Sequence, residues 1–137
     1  MTRYVIDASV VIKSLLNEDK VVEGKFRNLL EEVDSGKAEL ISSKFLVIEV
    51  GNGLRFGVKD PEKCLSVFSD FLKLPIKNRT LSKIQVKQSV KTSYELDTTV
   101  YDTSYHVLAK SLNATFLTCD NDYFQKAKSL GDIELIS

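Results

Sequence analysis

Four acidic residues stand where this sequence makes a carboxylate either conspicuous or well placed for chemistry: Asp7, Glu49, Asp102 and Asp120. Asp7 ends a short apolar, β-leaning run, Arg3-Tyr4-Val5-Ile6, and a helical pattern of Val10, Val11, Leu15 and Leu16 starts at once. Its side chain therefore sits where a buried strand hands over to a helix, the place where open α/β sheets hold their ligands. Asp120 follows the run Thr115-Phe116-Leu117-Thr118-Cys119 in the same way. Glu49 interrupts a helix, Phe45 to Phe56, that is apolar nearly all round and so reads as buried. At about 100° per residue Glu49 shares a face with Phe45, Asn52 and Phe56. Asp102 opens a helix running from Tyr101 to Leu112, at the edge of an apolar stripe of Tyr101, Tyr105, Leu108 and Leu112.

Each acid also has a purely structural use. Asp7 and Asp120 suit helix N-caps, and Asp102, three residues after Thr99, has nearly a capping-box spacing in a first turn that favours acids. Glu49 has Arg55 and Lys44 as partners for a charge inside the fold. Taken together, four acids directed at one crevice without a matching cluster of bases suit a hard divalent cation, Mg²⁺ or Mn²⁺, which prefers carboxylate and water oxygens.

The elements that must position these acids are legible in outline. Helical rhythms run from Val21 to Val33, stopping near Ser35 and Gly36, and from Pro61, after Asp60, through Leu72. A further helix, capped near Ser82, runs from Leu81 to Tyr94, and the last runs from Asn121 to Leu130, closed by Gly131. Short strands are expected at Glu39 to Ser42, Leu74 to Lys77, Thr115 to Thr118 and Ile133 to Ile136. Strands separated by one or two helices imply parallel crossovers. The expectation is one α/β domain over residues 1–137: a three-layer α/β/α sandwich with a central, mostly parallel five-stranded sheet.

Composition narrows the function classes. The chain of 137 residues is 43% hydrophobic and 28% charged, ordinary for a globular protein, with no apolar run long enough to span a membrane. Two cysteines, Cys64 and Cys119, make no disulfide framework or zinc spacing, so a cytoplasmic setting is expected. Nineteen basic residues offset nineteen acidic ones, so a polyanionic substrate would need a local patch or metal ions.

The segments Val5-Ile6-Asp7-Ala8-Ser9, Glu49-Val50-Gly51-Asn52, Tyr101-Asp102-Thr103-Ser104-Tyr105 and Leu117-Thr118-Cys119-Asp120, in this order, resemble the four acidic motifs of PIN-domain nucleases. The likeness is closest to VapC toxins of toxin–antitoxin pairs and covers essentially the whole chain. It implies a PIN-like fold and a metal-dependent endoribonuclease in which Asp7, Glu49, Asp102 and Asp120 hold Mg²⁺ or Mn²⁺. By the same resemblance Ser9 is the hydroxyl beside the first acid, Asn52 the amide one turn after Glu49, Thr118 the hydroxyl before the last acid, and Asp122 an extra acid. RNA as substrate, a small antitoxin encoded nearby and a homodimer belong to the same implication. Gly51 and Gly53 depart from the alanine- and leucine-rich helix usual at that place.

Other residues carry less. His106 reads as incidental on a helix flank, Lys83, Lys87 and Lys91 as a solvated stripe, and Cys119 as a small strand-end residue without a catalytic part. Tyr94, Tyr101, Tyr105 and Tyr123 suit base stacking, although Tyr101 and Tyr105 share a core stripe. An aspartyl phosphatase would want an acid where Ser9 stands, and a receiver module would want adjacent acids at the first strand end. The acids are also compatible with a housekeeping nuclease that has no antitoxin, and the fold with a catalytically idle RNA- or protein-binding module.

Overall fold

The computed structural model describes residues 1–137. Its elements run β1 (Thr2–Ile6), α1 (Ala8–Leu15), α2 (Lys20–Asp34), β2 (Ala38–Ser43), α3 (Phe45–Gly57), α4 (Pro61–Leu72), β3 (Lys77–Arg79), α5 (Lys83–Leu96), α6 (Val100–Ser111), β4 (Thr115–Thr118), α7 (Asn121–Ala127) and β5 (Ile133–Leu135). A single 3₁₀ turn, Lys128–Leu130, extends α7. Side-chain caps set the helix starts: Asp7, Asp19, Asp60, Thr99 and Asp120 each accept a backbone N–H of the first turn. Ser82 and Gln85 form a reciprocal capping box at α5.

The five strands make one all-parallel sheet in the order β3-β2-β1-β4-β5. From β1 the chain moves outward to β2 and β3, then returns past β1 to β4 and β5. With right-handed crossovers this places α1 to α4 on one face and α5 to α7 on the other. The contacts agree: α1 packs on α2 and α3, α3 on α4, and α5 on α6, which covers β1, β2 and β4. The direction of winding reverses between β1 and β4, so a crevice opens at their carboxyl ends. Val5 and Ile6 in β1, Leu40 and Ile41 in β2, and Phe116 and Leu117 in β4 anchor the core.

Three expectations need correction. The third strand lies at Lys77–Arg79 and not at Leu74 to Lys77: Pro75 has no N–H for the ladder, while Leu74 and Ile76 turn inward against the core. The helix α3 is not buried all round. Leu46, Val50 and Leu54 face inward, but Ile48 is 67% exposed and Phe56 75% exposed, with the guanidinium of Arg55 5.2 Å above the Phe56 ring. Tyr101, expected in the core stripe of its helix, is 59% exposed, whereas Tyr105 is buried.

The glycines of α3 have a packing reason. A Cβ on Gly53 would collide with Ile12 Cδ1, and one on Gly57 would lie 2.8 Å from Leu16 Cδ1, so α1 lies directly against this face. Gly53→Ala is expected to destabilise the protein by about 1 kcal/mol, because overpacking outweighs the gain in helix propensity. In an Ile12→Val background, which removes the colliding methyl, the same substitution should become neutral or stabilising. Denaturant midpoints of the four proteins in this double-mutant cycle check it, and equal effects in both backgrounds would show that the contact is immaterial.

Candidate metal-binding active site

Asp7 sits at the crevice between β1 and β4, only 7% exposed. Its Oδ1 accepts the backbone N–H of Ser9 at 3.1 Å and the Ser9 hydroxyl at 2.5 Å. Its Oδ2 accepts the Thr118 hydroxyl at 2.6 Å. Each hydroxyl is itself aimed by the next turn of chain. The Cys119 N–H donates to Ser9 Oγ at 2.9 Å and the Asp120 N–H to Thr118 Oγ1 at 3.1 Å. Both turns, β1 to α1 and β4 to α7, are thus tied through one carboxylate.

The other acids gather from both faces of the sheet. Glu49 comes from α3, and the Tyr105 hydroxyl on α6 donates to its Oε1 at 2.5 Å, joining helices that lie on opposite sides. Asp102, half-buried in the first turn of α6, accepts the Thr98 hydroxyl at 3.2 Å, while its N–H donates to Thr99. Asp120 caps α7 by accepting the Tyr123 N–H at 3.0 Å. Asp7 and Asp120 therefore do cap helices. Glu49 is not ion-paired inside the fold: neither Arg55 nor Lys44 reaches it, and the ion pairs of the protein lie elsewhere, at Glu39, Glu95 and Asp132.

The electrostatics show the cost of this arrangement. Burial raises the Asp7 carboxyl to about 6 against the pull of its Ser9 and Thr118 hydrogen bonds, and the charge of Asp102 adds to the rise. Glu49 is raised by desolvation and then by Asp102, partly offset by the Tyr105 hydroxyl. Asp102 is raised by desolvation and then by Asp120. Asp102 is thus felt by both Asp7 and Glu49. The donor chemistry suits a hard cation: oxygen ligands, hydroxyl supports and no ion-paired base. No three His, Cys, Asp or Glu side chains are grouped closely enough to form a ready-made metal cage.

Of the further residues expected here, Ser9 and Thr118 hold Asp7, as described. Asn52 is exposed beside Glu49 in a groove, and Asp122 is exposed in the first turn of α7. The lysines Lys83, Lys87 and Lys91 are exposed, as expected. Burial pushes the Cys119 thiol up to about 11, away from nucleophilic use.

Sequence reasoning missed Tyr105, Thr98 and the part played by His106. That histidine is 1% exposed, not incidental on a flank. Its Nε2 lies 2.7 Å from the Gly131 carbonyl, which can only accept, so Nε2 carries the proton and Nδ1 accepts from the Tyr123 hydroxyl at 2.8 Å. This clamps α6 to α7. The one available signal was that a buried tyrosine or histidine needs a polar partner.

A PIN domain family model matches residues 4–130. The chain belongs to the PIN domain family. Among solved structures it is similar to a chain of VapBC2 from Rickettsia felis bound to a DNA fragment from its promoter. That match has a TM-score of 0.72 and 14% identity and covers 99% of this chain and 100% of the other. PAE2754 from Pyrobaculum aerophilum matches with a TM-score of 0.63 and 21% identity over 93% of this chain and 87% of the other. VapBC-1 from nontypeable Haemophilus influenzae matches with a TM-score of 0.63 and 18% identity, covering 98% of each chain. At these identities the similarity establishes the fold. No curated protein matches.

The raised Asp7 carboxyl sets a pH signature. The fold prefers the protonated form, so this group costs nothing below its ordinary pKa of 3.8 and costs progressively more as pH rises through about 6. A rise of that size corresponds to about 3 kcal/mol. Metal-free Asp7→Asn should therefore match wild type below pH 4 and exceed it above pH 6, by at most about 3 kcal/mol. Thermal unfolding in chelator across that range is the check, and a variant less stable than wild type at every pH would make Asp7 a plain helix cap.

Proposed function

We propose that this chain is a metal-dependent endoribonuclease and the toxin of a toxin–antitoxin pair. Asp7, Glu49, Asp102 and Asp120 would hold Mg²⁺ or Mn²⁺. The observation that carries the reading is the buried Asp7 carboxylate, held by hydroxyl and N–H groups and left without a cation of the protein's own. Membership of the PIN domain family and the likeness to VapBC structures support it.

A divalent ion at such carboxylates neutralises phosphate charge and lowers the pKa of water, which is what hydrolysis of a phosphodiester requires. The protein's share is to fix its ligands in advance. Ser9 and Thr118 hold both oxygens of Asp7, Tyr105 holds Glu49, and Thr98 holds Asp102. Each of these supports restricts a carboxylate rotamer without neutralising it. The His106–Tyr123 contact fixes α7, and with it the acid that caps α7, against α6.

The acidic mouth repels RNA until cations are bound, so affinity for substrate and for metal should rise together. The partners in this reading are a small antitoxin and a second copy of the chain. The exposed apolar residues Phe56 of α3 and Ile84, Val90 and Tyr94 of α5 are surface for them to cover. A cytoplasmic setting belongs to the same reading, and no helix is long and apolar enough to cross a membrane.

The deciding experiment is cleavage of single-stranded RNA by purified protein with Mg²⁺ or Mn²⁺ and with excess chelator. Cleavage should require the ion and fall by at least about a hundredfold in Asp102→Asn, with Mg²⁺ raising the melting temperature of wild type more than that of the variant. Undiminished cleavage by Asp102→Asn, or in chelator, would refute the assignment.

A further inference from the structure

A groove of about 470 Å³ runs beside the acidic crevice, between α1, α3 and α6. Its lining includes Ile12, Phe45, Ile48, Asn52 and Tyr101, and it is continuous with the site because Glu49 belongs to both. Phe45 and Tyr101 lie ring on ring, with centroids 4.9 Å apart and planes within 5°. This stack covers one face of Tyr101, and the residue still keeps 59% of its surface exposed. Tyr101 precedes Asp102, and Phe45 lies one helical turn before Glu49. The exposed amide of Asn52 stands one turn beyond Glu49 on the same groove.

An exposed parallel pair of aromatic rings is otherwise a poor use of surface, since each ring leaves apolar area in water. A flat π face adjoining carboxylates that would handle a phosphodiester has the shape and chemistry of a nucleobase platform. An amide at its edge adds hydrogen-bonding groups able to meet a base edge, as asparagine does elsewhere.

We propose that this groove receives one unpaired nucleobase of the RNA, stacked on Tyr101 as an extension of the Phe45–Tyr101 stack. The inference rests on the nuclease reading for its substrate and deepens it. A base inside a duplex is already stacked on its neighbours, so the groove selects single-stranded RNA at the nucleotide next to the cleaved bond. Asn52 contacts the base edge, and Tyr101 is a substrate-positioning residue.

The chain has no tryptophan, so Tyr101→Trp installs a single emitter at the platform. In an Asp7→Asn background that blocks turnover, with Mg²⁺ present, this protein is titrated with three probes: a short mixed-sequence single-stranded RNA, the same strand as a duplex, and an abasic backbone of equal length. Saturable quenching by the single strand, with little by the duplex or the abasic backbone, is the expected result. Tyr101→Ala should weaken binding of fluorescently labelled single-stranded RNA about tenfold, the size of one lost base–aromatic stack, and Tyr101→Phe should restore it. Equal quenching by the abasic strand, or unchanged affinity in Tyr101→Ala, overturns the proposal. So does a tryptophan that ignores RNA and is shielded only when the chain is co-purified with the product of the neighbouring reading frame, which would assign the groove to a protein. The two readings fail separately. Base-dependent quenching without any metal-dependent cleavage by wild type sinks the nuclease, whereas cleavage with an unchanged KM in Tyr101→Ala sinks the platform alone.

Discussion

The structure depends on one constraint: a carboxylate buried at the crevice between β1 and β4 with no cation of the protein's own to neutralise it. Burying an unpaired charge is among the costliest things a fold can do. Here the cost is moderated by the hydroxyls of Ser9 and Thr118, whose orientations are set in turn by the N–H groups of Cys119 and Asp120. Replacing Asp7 by an apolar residue would leave those hydroxyls and the first turn of α1 without an acceptor. Keeping it leaves a carboxyl raised to about 6 and a place for positive charge from outside.

The topology explains why Asp102 lies close enough to Asp7, Glu49 and Asp120 for their charges to be felt. Winding reverses between β1 and β4, so helices from opposite faces of the sheet converge on one edge. Tyr105 reaches from α6 to Glu49 on α3 across that edge, and Phe45 stacks on Tyr101 between the same two helices. The close contact of α1 with α3, allowed by Gly53 and Gly57, sets where α3 lies. The contacts that hold the helices on the sheet therefore also hold the mutually repelling acids in place.

The strand-to-helix handovers at Asp7 and Asp120 are legible in the sequence because an apolar run, an acid and a helical rhythm in succession have few other meanings. The order of elements follows from the same periodicities, and the acids stand out by type and place. What escapes is tertiary. Apolar residues all round α3 do not say which face the fold buries, so Ile48 and Phe56 read as core although they face solvent. Pro75 and the inward turn of Leu74 and Ile76 displace β3 by three residues at its start, since hydrophobicity there marks an anchor and not a ladder. The partner of Glu49 is none of the nearby bases but a tyrosine 56 positions away. His106 reads as incidental because its two partners, the Tyr123 hydroxyl and the Gly131 carbonyl, are brought to it only by the packing of α7 against α6.

The central claim is that Asp7 is a buried acid kept unpaired for a cation, and its own titration tests this most directly. Side-chain carboxyl ¹³C shifts of the metal-free protein, assigned with Asp7→Asn, should place Asp7 near 6, and added Mg²⁺ should lower that value. A carboxyl that titrates at the ordinary value near 4 and ignores Mg²⁺ would contradict the account.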